Sequence, residues 1–243
     1  MTKTIWITGA SSGIGKALAI KFANQGWQVA ASARRENLLK DLNNQNPNIY
    51  SFPLDVRNEN ESKNTFQNII KKFQTIDISV FCTGMHDPDA EKKLSSEKIR
   101  EIMETNFFGT LNCIMAVNTY FRERKNGHIA IVSSVAGYRG LPAASGYCAS
   151  KSALISLAES LYFDFKRYNV KVSVINPGFI KTPMTDKNKF PMPMIKSAEF
   201  AAEKMFTGLT KKNVFEIHFP LAFTIIMKLL KIMPNWLYFL LVK

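Results

Sequence analysis

Thr4-Ile5-Trp6-Ile7-Thr8-Gly9-Ala10-Ser11-Ser12-Gly13-Ile14-Gly15 opens the chain with an apolar run, a glycine-rich turn and the start of an amphipathic stretch reaching Asn24. An apolar run bounded by glycine predicts a buried strand, and the periodic stretch behind it predicts a helix. Between them Gly9, Gly13 and Gly15 stand in the spacing G-x-x-x-G-x-G, with Ser11, Ser12 and Ile14 completing the turn. Glycines there let the backbone approach a pyrophosphate, and the helix N-terminus adds free N–H groups and a favourable dipole. The segment therefore predicts a strand–turn–helix unit built to hold a phosphorylated ligand.

Outward from this unit the same alternation continues. Further strands are predicted at Gln28–Ala33, Ile49–Pro53, Ile76–Cys82, His128–Ser134, Lys171–Asn176 and Val214–His218. Helical stretches are predicted at Glu59–Phe73, Lys98–Arg122 and Ser152–Tyr168. Strands alternating with helices predict a parallel sheet covered on both faces, and runs such as Ile129-Ala130-Ile131-Val132 suit strands buried on both sides. No repeat, low-complexity tract or linker divides the chain. The expected architecture is one doubly wound α/β domain over residues 1–218, with residues 219–243 as an apolar, basic helical extension of the same domain.

With 46% hydrophobic and 21% charged residues over 243 positions, the chain is neither disordered nor fibrous. Thirty-two Lys and Arg against 19 Asp and Glu give a net charge of +13, which suits nucleic acid, anionic lipid or a phosphorylated cofactor. No helix-turn-helix, zinc or aromatic RNA-binding signature accompanies that charge, so no nucleic-acid partner is expected. Ten of the basic residues but only four acidic ones fall within residues 181–243. Three scattered cysteines, Cys82, Cys113 and Cys148, give neither a disulfide framework nor a metal site. A reducing, cytoplasmic setting and no metal are expected. Neither a signal peptide nor a run of about 18 apolar residues is found.

Two further segments carry chemistry. The second strand ends Ala31-Ser32-Ala33-Arg34-Arg35, where an NAD site usually places an acidic residue for the ribose 2′-hydroxyl. Arg34 and Arg35 instead suit a 2′-phosphate through charge-assisted hydrogen bonds, which favours NADP(H) over NAD(H). Tyr147-Cys148-Ala149-Ser150-Lys151 begins a helical stretch. Residues four apart share a helix face, so the Lys151 ammonium is expected near the Tyr147 hydroxyl, drawing the phenol below its usual range near ~10. Tyr147 then qualifies as general acid for a ketone or general base for an alcohol.

With these motifs in order, the chain resembles the short-chain dehydrogenases/reductases over about residues 3–218, in their single-domain, Rossmann-type branch. Thr8–Gly15 looks like the family's cofactor turn. Asp55-Val56 is similar to its adenine-contacting pair, and Asn106, in Thr105-Asn106-Phe107-Phe108-Gly109, to the helix asparagine that supports a water relay. Ser134 stands 13 residues before Tyr147, as the family's serine does. Pro177-Gly178-Phe179-Ile180-Lys181-Thr182 resembles the turn that covers the nicotinamide, with Thr182 near its carboxamide. The resemblance implies that Ser134 polarises the substrate carbonyl and Tyr147 donates the proton. Lys151 would bind the nicotinamide ribose, and Asn106 would hold a water connecting Lys151 to solvent. Where the family usually has Asn-Asn-Ala-Gly, this chain has Phe81-Cys82-Thr83-Gly84; Gly84 still lets the backbone pass the adenosine ribose. Cys82 reads as a buried filler, and Cys148 as either packing or a thiol-sensitive neighbour of Tyr147.

Thr182–Met194, with three methionines and Phe190, is expected to cover an apolar carbonyl or alcohol substrate. In the tail, Ala222–Met233 and Trp236–Val242 are predicted helices separated by Pro234-Asn235. Three roles stay open for them: peripheral contact with a membrane surface, a homo-oligomer contact, or closure of the substrate pocket. The expected function is an NADP(H)-dependent oxidoreductase interconverting a carbonyl and an alcohol. A non-catalytic NADP(H)-binding sensor or interaction protein is the alternative.

Overall fold

Thr4–Thr8 forms β1, buried at every position, because it lies at the centre of a sheet with helices on both faces. Alternation along the strand sends Ile5 and Ile7 into one apolar layer and Trp6 into the other. Trp6 keeps its one polar atom satisfied, its indole N–H donating to Ser32 Oγ at 2.9 Å, while its ring meets Phe81 edge-on at 5.6 Å. The computed structural model describes residues 2–188, 190–212 and 214–242.

In chain order β1 is followed by α1 (Gly13–Asn24), β2 (Gln28–Ser32), α2 (Glu36–Gln45), β3 (Ile49–Ser51), α3 (Glu59–Phe73) and β4 (Ile78–Phe81). Then come α4 (Pro88–Lys92), α5 (Ser96–Met103), a π-helical turn at Glu104–Phe108, α6 (Gly109–Arg124), β5 (Gly127–Val132) and α7 (Ser145–Lys166). The chain closes with β6 (Val170–Pro177), α8 (Ala198–Thr210), β7 (Glu216–Phe219), α9 (Leu221–Ile232) and α10 (Asn235–Leu241). The seven strands are all parallel and run in the order β3-β2-β1-β4-β5-β6-β7. Helices α1, α2 and α8 cover one face, and α3, α6 and α7 the other. Strand order reverses between β1 and β4, and the carboxyl ends of those strands open a crevice there, the usual ligand position in open α/β sheets.

The sheet and its doubly wound form agree with expectation; several boundaries do not. The stretch read as one helix over 98–122 is α5 and α6 joined through the π turn. The helix expected from Ser152 starts at Ser145, so Tyr147 and Lys151 lie within it. Helices α2, α4 and α8 were not among the expected elements. Strand β7 runs over Glu216–Phe219 rather than the expected Val214–His218.

The tail packs on the sheet rather than projecting from it. Phe223 and Met227 are buried against Val135 and Tyr138, and Glu216 of β7 bonds Tyr138, Asn176 and Lys228. Arg139 donates to the carbonyls of Leu230 and Met233 and to Asn235 Oδ1, and its guanidinium lies 3.8 Å from the Tyr238 ring centroid. One side chain thus satisfies the carbonyls that α9 leaves open at its end and fixes α10 beside it. No helix among the described residues is long and apolar enough to cross a membrane.

Candidate active site

The turn between β1 and α1 depends on glycine. Gly9 has φ +69°, and a Cβ there would lie 2.9 Å from the Cys82 carbonyl oxygen. Helix α1 has no side-chain cap at Ser12, so the N–H groups of its first turn face the crevice uncapped. By contrast α3, α5 and α8 are capped by Asn58, Ser95 and Ser197. A bare helix start behind a glycine cradle fits a pyrophosphate. The crevice has a volume of about 630 Å³ and runs from Arg34, Arg35 and Asp55 to Ser134, Tyr147 and Lys151.

Gly9, Ser11, Ser12, Gly13, Ile14, Gly15, Gly84, Val56, Pro177, Gly178, Ile180 and Thr182 all line this crevice. Arg35 donates from one nitrogen to Ser11 Oγ and Ser12 Oγ, both at 2.8 Å, so its charge is held over the glycine turn. Asp55 lines the crevice, but its carboxylate is turned to Arg57. That guanidinium, with Arg34 beyond it, holds the carboxyl below its usual range. Arg57 was not anticipated, although an arginine two residues after an aspartate was the available signal.

The other end of the crevice joins three elements. Ser134 follows β5, Tyr147 and Lys151 stand on the first turns of α7, and Asn106 sits in the π turn. Ser134 and Tyr147 both line this end of the crevice, where Ser134 Oγ accepts from the Ala136 N–H at 3.1 Å and donates to the Pro177 carbonyl at 3.4 Å. Lys151 is buried, its Nζ donating to the Val132 carbonyl at 3.0 Å and lying 5.7 Å from the Tyr147 ring centroid. Asn106 is fully buried; it accepts from the Met85 N–H at 2.7 Å and donates to the Met85 carbonyl and to Ser150 Oγ, both at 3.0 Å. Gly84 lies between them: a Cβ there would be 3.5 Å from Lys151 Nζ and 3.7 Å from Asn106 Oδ1.

One electrostatic expectation is corrected. Tyr147 is not drawn down by Lys151; burial pushes the phenol up to about 12, against the lowering effect of the nearby Ser134 hydroxyl. Burial also brings Lys151 down to about 8, and its Nζ is turned to the Val132 carbonyl instead of the phenol. Cys148 is buried among Ala136, Ala144 and Tyr147, and burial raises its thiol to about 11, so it packs rather than reacts. Cys82 is raised to about 11 for the same reason.

The cover is pinned at its neck, where the Lys181 N–H donates to the Lys196 carbonyl and the Lys196 N–H to the Phe179 carbonyl, on either side of Ile180. Thr185 donates to the Ile180 carbonyl and accepts from the Thr182 N–H. The three-residue spacing of Thr182 and Thr185 is the local signal of this turn. Met184 and Pro183 line the crevice from above. Phe179 lies between Phe190 of the cover, met edge-on, and Phe223 of α9, met at a tilt. Lys189, part of the expected cover, lies outside the described residues, as does Lys243 in the tail.

The short chain dehydrogenase family model matches residues 3–191. An uncharacterized oxidoreductase of Myxococcus xanthus is 33% identical over 240 residues, covering 97% of this chain and 94% of its own. The 3-oxoacyl-acyl-carrier-protein reductase FabG of Thermotoga maritima is 32% identical over 189 residues, covering 76% and 77%. Among solved structures, ElxO with NADP bound superposes with a TM-score of 0.79 at 25% identity, covering 90% of this chain and 98% of its own. A parallel seven-stranded sheet with the glycine turn at its switch point and the serine, tyrosine and lysine at its far end accounts for those matches, and the chain belongs to the short-chain dehydrogenase/reductase family of oxidoreductases.

Proposed function

We propose that this chain is an NADP(H)-dependent reductase of apolar carbonyl compounds, with Tyr147 as the proton donor. The observation that carries the reading is the meeting of Ser134, Tyr147 and a buried Lys151 at one end of the crevice. When bound, the nicotinamide supplies the hydride. Ser134 and Tyr147 together orient a carbonyl oxygen, since a developing alkoxide needs two positioned donors. Burial keeps Tyr147 protonated through neutral pH, which suits an acid in the reducing direction. Lys151 and Asn106 flank Gly84, so a ribose hydroxyl reaching Lys151 Nζ would lie near the Asn106 amide.

Arg34 and Arg35 support NADP(H). The second strand ends without an acidic residue, and both guanidinium groups line the crevice beside the glycine turn. Met184 and Phe190 of the cover support an apolar substrate, and the FabG relative makes 3-oxoacyl thioesters the first compounds to try. Purified protein should oxidise NADPH in the presence of such a ketone, and Tyr147→Phe should abolish turnover while leaving NADPH affinity unchanged. Full turnover in that variant would remove Tyr147 from the chemistry. We infer in addition that the outer face of α9 and α10 meets an anionic membrane surface. Leu221, Ile225, Leu229, Trp236 and Phe239 are exposed there, and no acidic residue follows Glu216.

A further inference from the structure

Helix α7, which carries Tyr147, begins without a cap of its own: Ala144 precedes it and offers no side-chain acceptor. Its first turn is served from another element. Glu91 of α4 is buried, with its side chain fully covered, and Oε2 accepts from the Tyr147 N–H at 3.1 Å. The other oxygen of Glu91 meets His86 Nδ1 at 2.8 Å. The His86 imidazole, only 10% exposed, then lies against the Tyr147 ring at 4.6 Å between centroids, the planes inclined by 41°. A carboxylate and an imidazole buried beside the reacting phenol need hydrogen-bond partners, and here both Glu91 oxygens and His86 Nδ1 find theirs in each other or in α7.

We propose that His86 and Glu91 are a positioning pair for Tyr147, holding its ring toward Ser134 and fixing the charge beside its hydroxyl. This rests on the reading of Tyr147 as the proton donor. The pair bears on the ring and on the backbone of the same residue, so it constrains both the start of α7 and the phenol's rotation. It also sets the local charge, because the Glu91 carboxylate favours the protonated phenol. The titratable groups facing Tyr147 are His86 and Glu91 from the segment after β4, Cys82 at the end of β4, and Cys148 and Lys151 on α7. His86 and Glu91 alone among these have no place in the roles assigned above.

The test has one readout that needs no substrate. Tyr147 ionisation is followed as the tyrosinate absorbance that Tyr147→Phe removes, in stopped-flow pH jumps read before the chain unfolds. Glu91→Gln retains an acceptor for the Tyr147 N–H but removes the charge, and should move the midpoint down by about half a pH unit or more. The second readout is turnover. His86→Ala should lower kcat about tenfold, with KM and NADPH affinity within twofold, as expected when only orientation at the reacting group is lost. His86→Gln, whose amide still reaches Glu91, should recover part of that rate. The proposal is overturned by an unmoved midpoint in Glu91→Gln, and equally by an unchanged kcat in a folded His86→Ala. If the unaltered chain reduces no carbonyl, the reductase reading fails by itself, and the ionisation midpoint still decides the pair.

Discussion

His128 is the second residue of β5, 6% exposed, in register with Ile78 of β4 and Lys171 of β6. Its Nε2 faces Ser173 Oγ at 2.9 Å, and that hydroxyl donates onward to the Val214 carbonyl. Ser173 therefore accepts from an Nε2–H, and among the described residues no acidic group is placed to neutralise an imidazolium. Burial, with Lys171 nearby, lowers His128 to about 4 from the usual 6.5. The unfolded chain thus binds the extra proton first as pH falls. The neutral ring's contribution is complete above pH 6.5 and is lost between 6.5 and about 4, amounting to about 3 kcal/mol. His128→Gln keeps an N–H for Ser173 and removes the titration, so its urea-unfolding free energy should fall less over that window than the parent's. Parallel pH curves for the two proteins would exclude His128 as the source. Residue-level legibility divides along the same line between local spacing and distant contact. Tyr147 and Lys151 were legible because four residues are one helix face. Glu91 was not, because its partners lie five and 56 positions away and meet only once α4 packs on α7.

Among the elements, β1 and α1 were legible because their apolar run, glycines and helix follow in unbroken order. The break between α5 and α6 was hidden, because apolar periodicity continues through the π turn. The turn is recognised only by what it does: it buries Asn106 on the Met85 backbone and Ser150. Helix α8 escaped notice because Ala201, Ala202, Met205, Phe206 and Leu209 bury a broad face against α1, blurring any narrow stripe. A tight backbone constraint at this scale lies between β1 and α1 themselves. A Cβ on Gly15 would stand 2.4 Å from the Gly9 carbonyl oxygen, inside any real contact, and the obstacle is backbone. Gly15→Ala must therefore displace the cradle or the start of α1. NADPH affinity, read by quenching of intrinsic fluorescence, should drop at least about tenfold, with a stability loss of about 1–3 kcal/mol. Retained affinity would mean that the turn is not the phosphate cradle.

For the whole molecule, the question is what the surplus of positive charge serves. Arg35 is spent on the glycine turn, and Lys228 pairs with Glu216. Lys231 stays exposed beside Ile232, Trp236 and Phe239, whose side chains are 79%, 71% and 68% exposed. On α9 the exposed Leu221, Ile225, Leu229 and Ile232 follow a spacing of four, four and three, one continuous face, and Trp236, Phe239 and Leu240 repeat it on α10. This composition was legible in the sequence; its orientation was not, since either face of α9 could have packed on Tyr138. Phe223 and Met227 took that position, leaving Lys231 exposed along with the outer apolar face. Two copies meeting through this face would bring their exposed Lys231 side chains together with no acidic residue after Glu216 to relieve them, whereas an anionic bilayer complements it. The chain should therefore co-sediment with phosphatidylglycerol vesicles and much less with phosphatidylcholine vesicles, and binding should weaken with added salt. Trp236→Ser combined with Leu240→Ser should reduce binding on the order of tenfold without changing NADPH affinity. Equal affinity for both vesicle types would show that charge plays no part. A dimer seen by analytical ultracentrifugation and lost in the same double variant would instead assign the face to a second copy of the chain.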